Sequence, residues 1–167
     1  MGKIYVDQVD TPIGPLTMLV TGEKLCRLDF GDWEKLGDFH KKWKEKYYPN
    51  HVFEKADLVA FKEPIHEYFA GKRKHFEFEL ELNGTVFQRK VWQALMQIPY
   101  GKTCSYKDIA LAIDSPKAVR AVGGANNKNP LLILIPCHRV VGTNGKLVGY
   151  AGGLDKKEYL LALETEQ

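Results

Sequence analysis

Cys137 and His138 adjoin in the run Pro136-Cys-His-Arg-Val140, which closes the apolar stretch Leu131–Ile135. A cysteine attacks carbon or metal as a thiolate, and it needs a neighbouring base or positive charge to become one. His138, Arg139 or a helix N-terminus are available for this. Glu164 lies at the end of the last helical pattern. If it reaches His138, the order Cys–His–Glu reproduces nucleophile, base and orienter. Neighbours in a strand face opposite ways, so direct contact between Cys137 and His138 requires a turn or a bridging water. The alternative is a structural cysteine beside a satisfied histidine.

The other candidates for chemistry are sparse. Cys26 and Cys104 complete an odd, widely spaced set with no CxxC pair, which disfavours a zinc ribbon or a redox dithiol. Free thiols fit a reducing compartment. His40, His51, His66 and His75 all lie in the first half, with no metal-like spacing on one helix face, and read as packing or surface residues.

The elements that hold these residues divide the chain in two. Lys3–Val9, Leu16–Thr21 and Leu25–Phe30 read as an antiparallel meander punctuated by Pro and Gly. Trp33–Tyr48 and Ala56–Ala70 have helical spacing, with Pro64 inside the second. His75–Leu82 alternates apolar and acidic residues like a half-buried strand. Asn83-Gly84 is the natural junction, giving a scaffold over residues 1–84 and a second domain over 85–167.

In the second domain Thr85–Ile98 is an amphipathic helix. Ser105 with Asp108 has the spacing of a capping box, opening a helix whose inner face is Ile109, Ala112 and Ile113. Ser115 and Pro116 suit the N-cap and N1 positions of the next helix, Lys117–Ala125. Two short helices across a tight turn suggest a helix-turn-helix. The second carries Ala118, Ala121, Gly123, Gly124 and Ala125 around one long residue, Arg120. Small residues allow close approach, either of a neighbouring core helix or of a nucleic-acid groove. The expected fold class is α+β: a small antiparallel sheet with flanking helices, then a mainly helical domain with the helix-turn-helix.

Composition narrows the class. Of 167 residues, 44% are hydrophobic and 27% charged, as in a soluble globular protein with a core. Lys and Arg number 13 against 15 Asp and Glu in residues 1–85, but 11 against 6 in residues 86–167. A polyanionic partner therefore belongs with the second half. No apolar run approaches the roughly 20 residues of a membrane span, and the N-terminus has no signal-peptide core. A cytoplasmic protein without membrane contact is expected.

Pro136-Cys-His-Arg-Val140 resembles the active-site signature of the O6-alkylguanine-DNA alkyltransferases. The resemblance extends through Ile98-Pro-Tyr-Gly101, Ser105-Tyr106, Pro116–Ala125, Asn129-Pro130, Tyr150-Ala-Gly-Gly-Leu154 and Leu161-Ala-Leu-Glu164, in order. It implies a monomeric suicide repair protein for double-stranded DNA carrying O6-alkylguanine, bound through the minor groove. By this similarity Cys137 takes the alkyl group from a flipped-out base. His138 acts through a water as its base, Glu164 orients His138, Tyr106 assists the leaving guanine, and Asn129 braces the turn. Arg120 enters the duplex in place of the extruded nucleotide, and Ser105, Tyr106, Ala121 and Gly124 contact DNA. Pro136, Val140, Tyr150, Ala151 and Gly152 line the guanine pocket. No cofactor and no metal are implied: no Gly-rich cofactor fingerprint follows a strand, and the first half has only Cys26 for a zinc site of the kind some members carry. Ala151 departs from the serine frequent in the family.

Two rival readings remain distinct from this one. A thiol hydrolase built on Cys137, His138 and Glu164 turns over without DNA. A helix-turn-helix regulator binds DNA without needing Cys137.

Overall fold

The computed structural model describes residues 2–165. The chain forms two compact units, Met1–Asn83 and Gly84–Gln167.

In the first unit β1 (Lys3–Thr11), β2 (Gly14–Thr21) and β3 (Lys24–Phe30) pair as successive antiparallel hairpins. β1 buries Ile4, Val6 and Val9, whereas β2 and β3 are buried on both faces over Leu16–Val20 and Leu25–Asp29. Burying each apolar side chain among them contributes roughly 1.5–3 kcal/mol. α1 (Gly37–Tyr47) places His40 and Trp43 inward, and α2 (Val59–Phe69) buries Ile65 and Tyr68.

Two features correct the expected antiparallel sheet. β4 (Val52–Lys55) joins parallel to β1, so the order is β3-β2-β1-β4 and the sheet is mixed. A four-residue, largely exposed strand carries too little periodicity to be read in advance. The expected strand His75–Leu82 meets the sheet at a single bridge, Leu80 to Leu25. Its alternation serves packing instead: Phe76 lies 5.6 Å from Tyr68 and Phe78 lies 5.0 Å from Phe61, centroid to centroid.

The second unit is mainly helical. α3 (Val86–Leu95) opens with a capping box between Thr85 and Gln88 and buries Val91, Trp92 and Leu95. β5 (Cys104–Ser105) leads into α4 (Tyr106–Ala112), whose Ser105–Asp108 capping box forms as expected. Ala110, rather than Ala112, joins Ile109 in the core. α5 (Val119–Asn127) starts two residues later than expected, with Ala118 and not Ser115 at its N-cap. Asp114 adopts φ +57, and Ser115–Ala118 closes a turn of its own, Ala118 N to Ser115 O at 2.9 Å. That turn occupies the residues that would have formed the first turn of helix. Trp92 Nε1 donates to Ala125 O at 2.9 Å and ties α3 to α5. β6 (Val140–Val141) and α6 (Leu154–Thr165) complete the unit.

Candidate active site

Beyond α5 the chain folds back through a tight loop fastened by one side chain. Asn129 Oδ1 accepts from Leu131 N at 2.8 Å, while its Nδ2 reaches Ile135 O at 2.7 Å and Cys137 Sγ at 3.0 Å. Within the loop Ile133 has φ +76, a conformation that β-branched residues avoid. Such strain costs on the order of 1–3 kcal/mol and persists only where the surroundings enforce it. Here Leu131, Leu132, Ile133 and Ile135 are all buried.

The loop delivers Cys137–Arg139 as one turn of 3-10 helix. Successive side chains of such a turn are set about 120° apart, so Cys137 and His138 are not on opposite faces as they would be in a strand. Instead His138 turns to Glu164. Its Nε2 lies 2.7 Å from Glu164 Oε2. Arg139 grips the same carboxylate twice, Nε to Oε1 at 2.8 Å and Nη2 to Oε2 at 3.0 Å, and donates through Nη1 to Ile98 O at 2.7 Å. All three side chains are buried. A carboxylate at a helix C-terminus opposes the helix dipole; the bidentate guanidinium supplies the compensation.

The protonation states follow from these contacts. A carboxylate accepts only, so Nε2 of His138 carries the proton and Nδ1 keeps its lone pair. That Nδ1 is buried and has no partner among the described residues. Burial lowers the His138 pKa, against the pull of Glu164, so the imidazole is neutral near pH 7. Burial also pushes the Cys137 thiol up to about 11, while the Asn129 hydrogen bond and the Lys157 charge pull it back. Near neutral pH the sulfur therefore keeps its proton, and a neutral histidine with a free lone pair is the next residue.

β5 pairs with β6 in parallel, Cys104 opposite Val140 and Ser105 opposite Val141. This ladder ties the start of α4 to the strand that leaves the Cys137–Arg139 turn, bringing Tyr106 within electrostatic reach of Cys137. On α5, Val122, Ala125 and Asn126 face the core, whereas Arg120, Ala121 and Gly124 are exposed. A Cβ added at Gly123 or Gly124 would meet nothing within 4 Å, so internal packing gives no reason for those glycines. Pro136 and Val140 are buried beside the turn. Tyr150, Ala151 and Gly152 form a separate turn closed by Gly153 N to Tyr150 O at 2.9 Å, with Ala151 exposed.

Residues 86–166 match the family described as "6-O-methylguanine DNA methyltransferase, DNA binding domain", and residues 4–82 match its "ribonuclease-like domain". The methylated-DNA–protein-cysteine methyltransferase of Methanosarcina barkeri is 45% identical over 161 residues, 96% of this chain and 97% of that protein. The protein named methylated-DNA–protein-cysteine methyltransferase, constitutive, of Bacillus subtilis is 45% identical over 163 residues, 96% and 94%. The chain belongs to the 6-O-methylguanine DNA methyltransferase family. Among solved structures, Mycobacterium tuberculosis OGT in complex with DNA superposes with a TM-score of 0.81 at 40% identity, covering 98% of this chain and 93% of that one.

Within this methyltransferase unit two buried cations had no role assigned from sequence beyond Arg139 as a nearby charge. Arg139 is the clasp on Glu164. Lys157 is fully buried, and its Nζ donates to Val140 O and Val148 O, both at 2.5 Å, and to Gly149 O at 3.4 Å. For Lys157 the signal is faint and lies in its position on α6. Lys157, Leu160 and Glu164 are spaced by three and four, so two charged residues share the inward stripe of α6 with a core leucine. Cys104 is half-buried, its pKa pushed up to about 11 by burial, as befits a packing role.

Proposed function

We propose that this protein repairs O6-alkylguanine in double-stranded DNA by direct reversal, moving the alkyl group irreversibly onto its own Cys137. The observation that carries the reading is the reactive turn itself: a cysteine held by Asn129, followed by a neutral histidine anchored to Glu164. In the reaction the Cys137 proton passes through a water to His138 Nδ1. Sulfur then forms a bond to the alkyl carbon as the carbon–O6 bond breaks, and the electron pair leaves with the guanine. Tyr106 hydrogen-bonds the base and eases its departure. A thioether has no easy hydrolytic exit, so each molecule acts once. The step needs no cofactor.

A base inside the stack cannot reach a buried sulfur, so the nucleotide is flipped out. The exposed face of α5, with Ala121 and Gly124, enters the minor groove closely, and Arg120 fills the space the base vacates. Ser105 and Tyr106 at the start of α4 contact the same backbone. Pro136, Val140 and the Tyr150–Gly152 turn line the pocket, with Ala151 offering a backbone N–H where relatives often have a serine. The protein works as a monomer in the cytoplasm, and no described helix is long and apolar enough to cross a membrane.

Incubation with a duplex oligonucleotide carrying O6-methylguanine, followed by weighing the tryptic peptides, tests this. One methyl group is expected on the Cys137 peptide, one per molecule. Catalytic turnover, or DNA binding with no mass gain, sinks it in favour of a hydrolase or a regulator. As a second arm, Arg120→Ala should slow repair in the duplex by roughly an order of magnitude more than reaction with free O6-benzylguanine; equal slowing excludes the flipping role.

A further inference from the structure

Lys157 is the one lysine among the buried residues described, and it has no carboxylate within ion-pair distance there. An ammonium has three donors, and this one spends them on three backbone carbonyls. They come from two segments: Val140 directly follows the reactive turn, while Val148 and Gly149 directly precede Tyr150. Val140 and the turn that begins at Tyr150 are both assigned above to the lining of the guanine pocket. An isolated buried charge is costly to desolvate, and carbonyl dipoles satisfy its hydrogen bonds without cancelling its charge. The Cys137 sulfur is the group within electrostatic reach that gains negative charge during the reaction.

We propose that Lys157 is a positioning residue of the alkyl-transfer site, tying together the two segments that carry the pocket lining and holding an unneutralised positive charge in support of the Cys137 thiolate. This rests on the alkyl-transfer reading. The ammonium sits in α6, the helix that also carries Glu164, so one helix supplies both the anchor of the base and the field on the nucleophile. The field acts in the direction the chemistry requires. Burial raises the thiol pKa and Lys157 opposes that rise; burial likewise lowers the Lys157 pKa, and a developing thiolate opposes that fall.

The test compares Lys157→Met, which keeps length and loses charge, with Lys157→Arg, which keeps charge. Single-turnover alkylation of Cys137 by free O6-benzylguanine is followed from about pH 6 to about pH 10. Lys157→Met should react about tenfold more slowly at neutral pH, with the alkaline rise in rate displaced upward by about one pH unit. Lys157→Arg should recover most of the rate. A folded Lys157→Met with the rate and pH profile of the unmodified chain overturns the proposal. Should Lys157→Met not fold, the 15N resonance of the Lys157 ammonium decides. It should titrate at lower pH in Cys137→Ser than in the unmodified chain, because the thiolate no longer supports the charge; identical titrations overturn the proposal. If the unmodified chain takes no benzyl group, the alkyl-transfer reading fails, and the resonance still reports whether the two groups are coupled.

Discussion

The two units each contain a buried arginine–carboxylate–histidine network, and only one of them adjoins the turn proposed to take the alkyl group. In the first, Arg27 holds Asp29 through Nε at 3.0 Å and Nη2 at 2.6 Å, and His40 Nε2 lies 2.9 Å from Asp29 Oδ2. In the second, Arg139 and His138 hold Glu164 in the same manner. Both histidines are fully buried, and both leave Nδ1 without a partner among the described residues. Each network even follows a cysteine, Cys26 before Arg27 and Cys137 before His138.

The sulfur atoms differ. Cys26 Sγ donates to Leu19 O at 3.1 Å, a bond that requires the proton to stay. Cys137 Sγ instead accepts from Asn129 Nδ2, a bond that strengthens as the proton leaves. Cys26 is the bulged residue of β3, between Leu25 opposite Val20 and Arg27 opposite Leu19, and its thiol is pushed up to about 12 by burial; Cys137 stands at about 11, with Asn129 and Lys157 pulling against its burial. His40 is packed under Trp33, rings 5.7 Å apart and 14° from parallel. A histidine paired with a carboxylate is therefore a stability device by default. It becomes a site when the backbone presents a nucleophile that accepts, rather than donates, a hydrogen bond.

The largest contrast is expected at the sulfurs. Cys137→Ala should abolish alkyl uptake, measured by intact mass after O6-benzylguanine treatment, while Cys26→Ala should retain it at stoichiometric yield and lose only roughly 1 kcal/mol of stability. Alkylation that survives in Cys137→Ala and disappears in Cys26→Ala would reverse the assignment. Next come the carboxylates. Glu164→Gln and Asp29→Asn should each lose about 3–5 kcal/mol in urea unfolding, because each leaves a buried guanidinium unpaired. Their kinetics should part: Glu164→Gln slows single-turnover alkylation by on the order of 10²-fold, and folded Asp29→Asn keeps its rate. Equal kinetic losses would mean the first network also serves the reaction.

Much of the reactive unit was legible because its signals are local. The Ser105–Asp108 capping box, the small-residue helix around Arg120 and the Cys137-His138 pair each declare themselves within a few residues. Glu164 was legible as a misfit, a negative charge where a helix end prefers a positive one. Less legible were features whose cause lies far along the chain. Lys157 shares the inward stripe of α6, but that spacing does not say what holds its charge until Val140 and Val148 are brought to it. β4 forms because β1 offers an edge, not because Val52–Lys55 insists on a strand. His75–Leu82 misled for the opposite reason: its alternation is real, but the partners of Phe76 and Phe78 are aromatic rings, not a neighbouring strand.

The smallest effect separates the networks by acid. His138 is buried with its pKa below the ordinary 6.5. Below pH 6.5 the unfolded chain binds a proton that the folded chain refuses, so stability falls as pH drops, by at most about 1.4 kcal/mol per pH unit. Asp29 behaves otherwise. Burial pushes its pKa up, but Arg27 and His40 together bring it below 3.8. Its contribution is complete above pH 3.8 and is lost only as pH falls further, through the folded value. Acidification from neutrality should therefore weaken hydrogen-exchange protection in α6 first, beginning near pH 6, while β2 and β3 hold until below pH 4. Simultaneous loss in both units would show that the two histidine networks share one acid response, and the distinction drawn between them would then rest on the sulfurs alone.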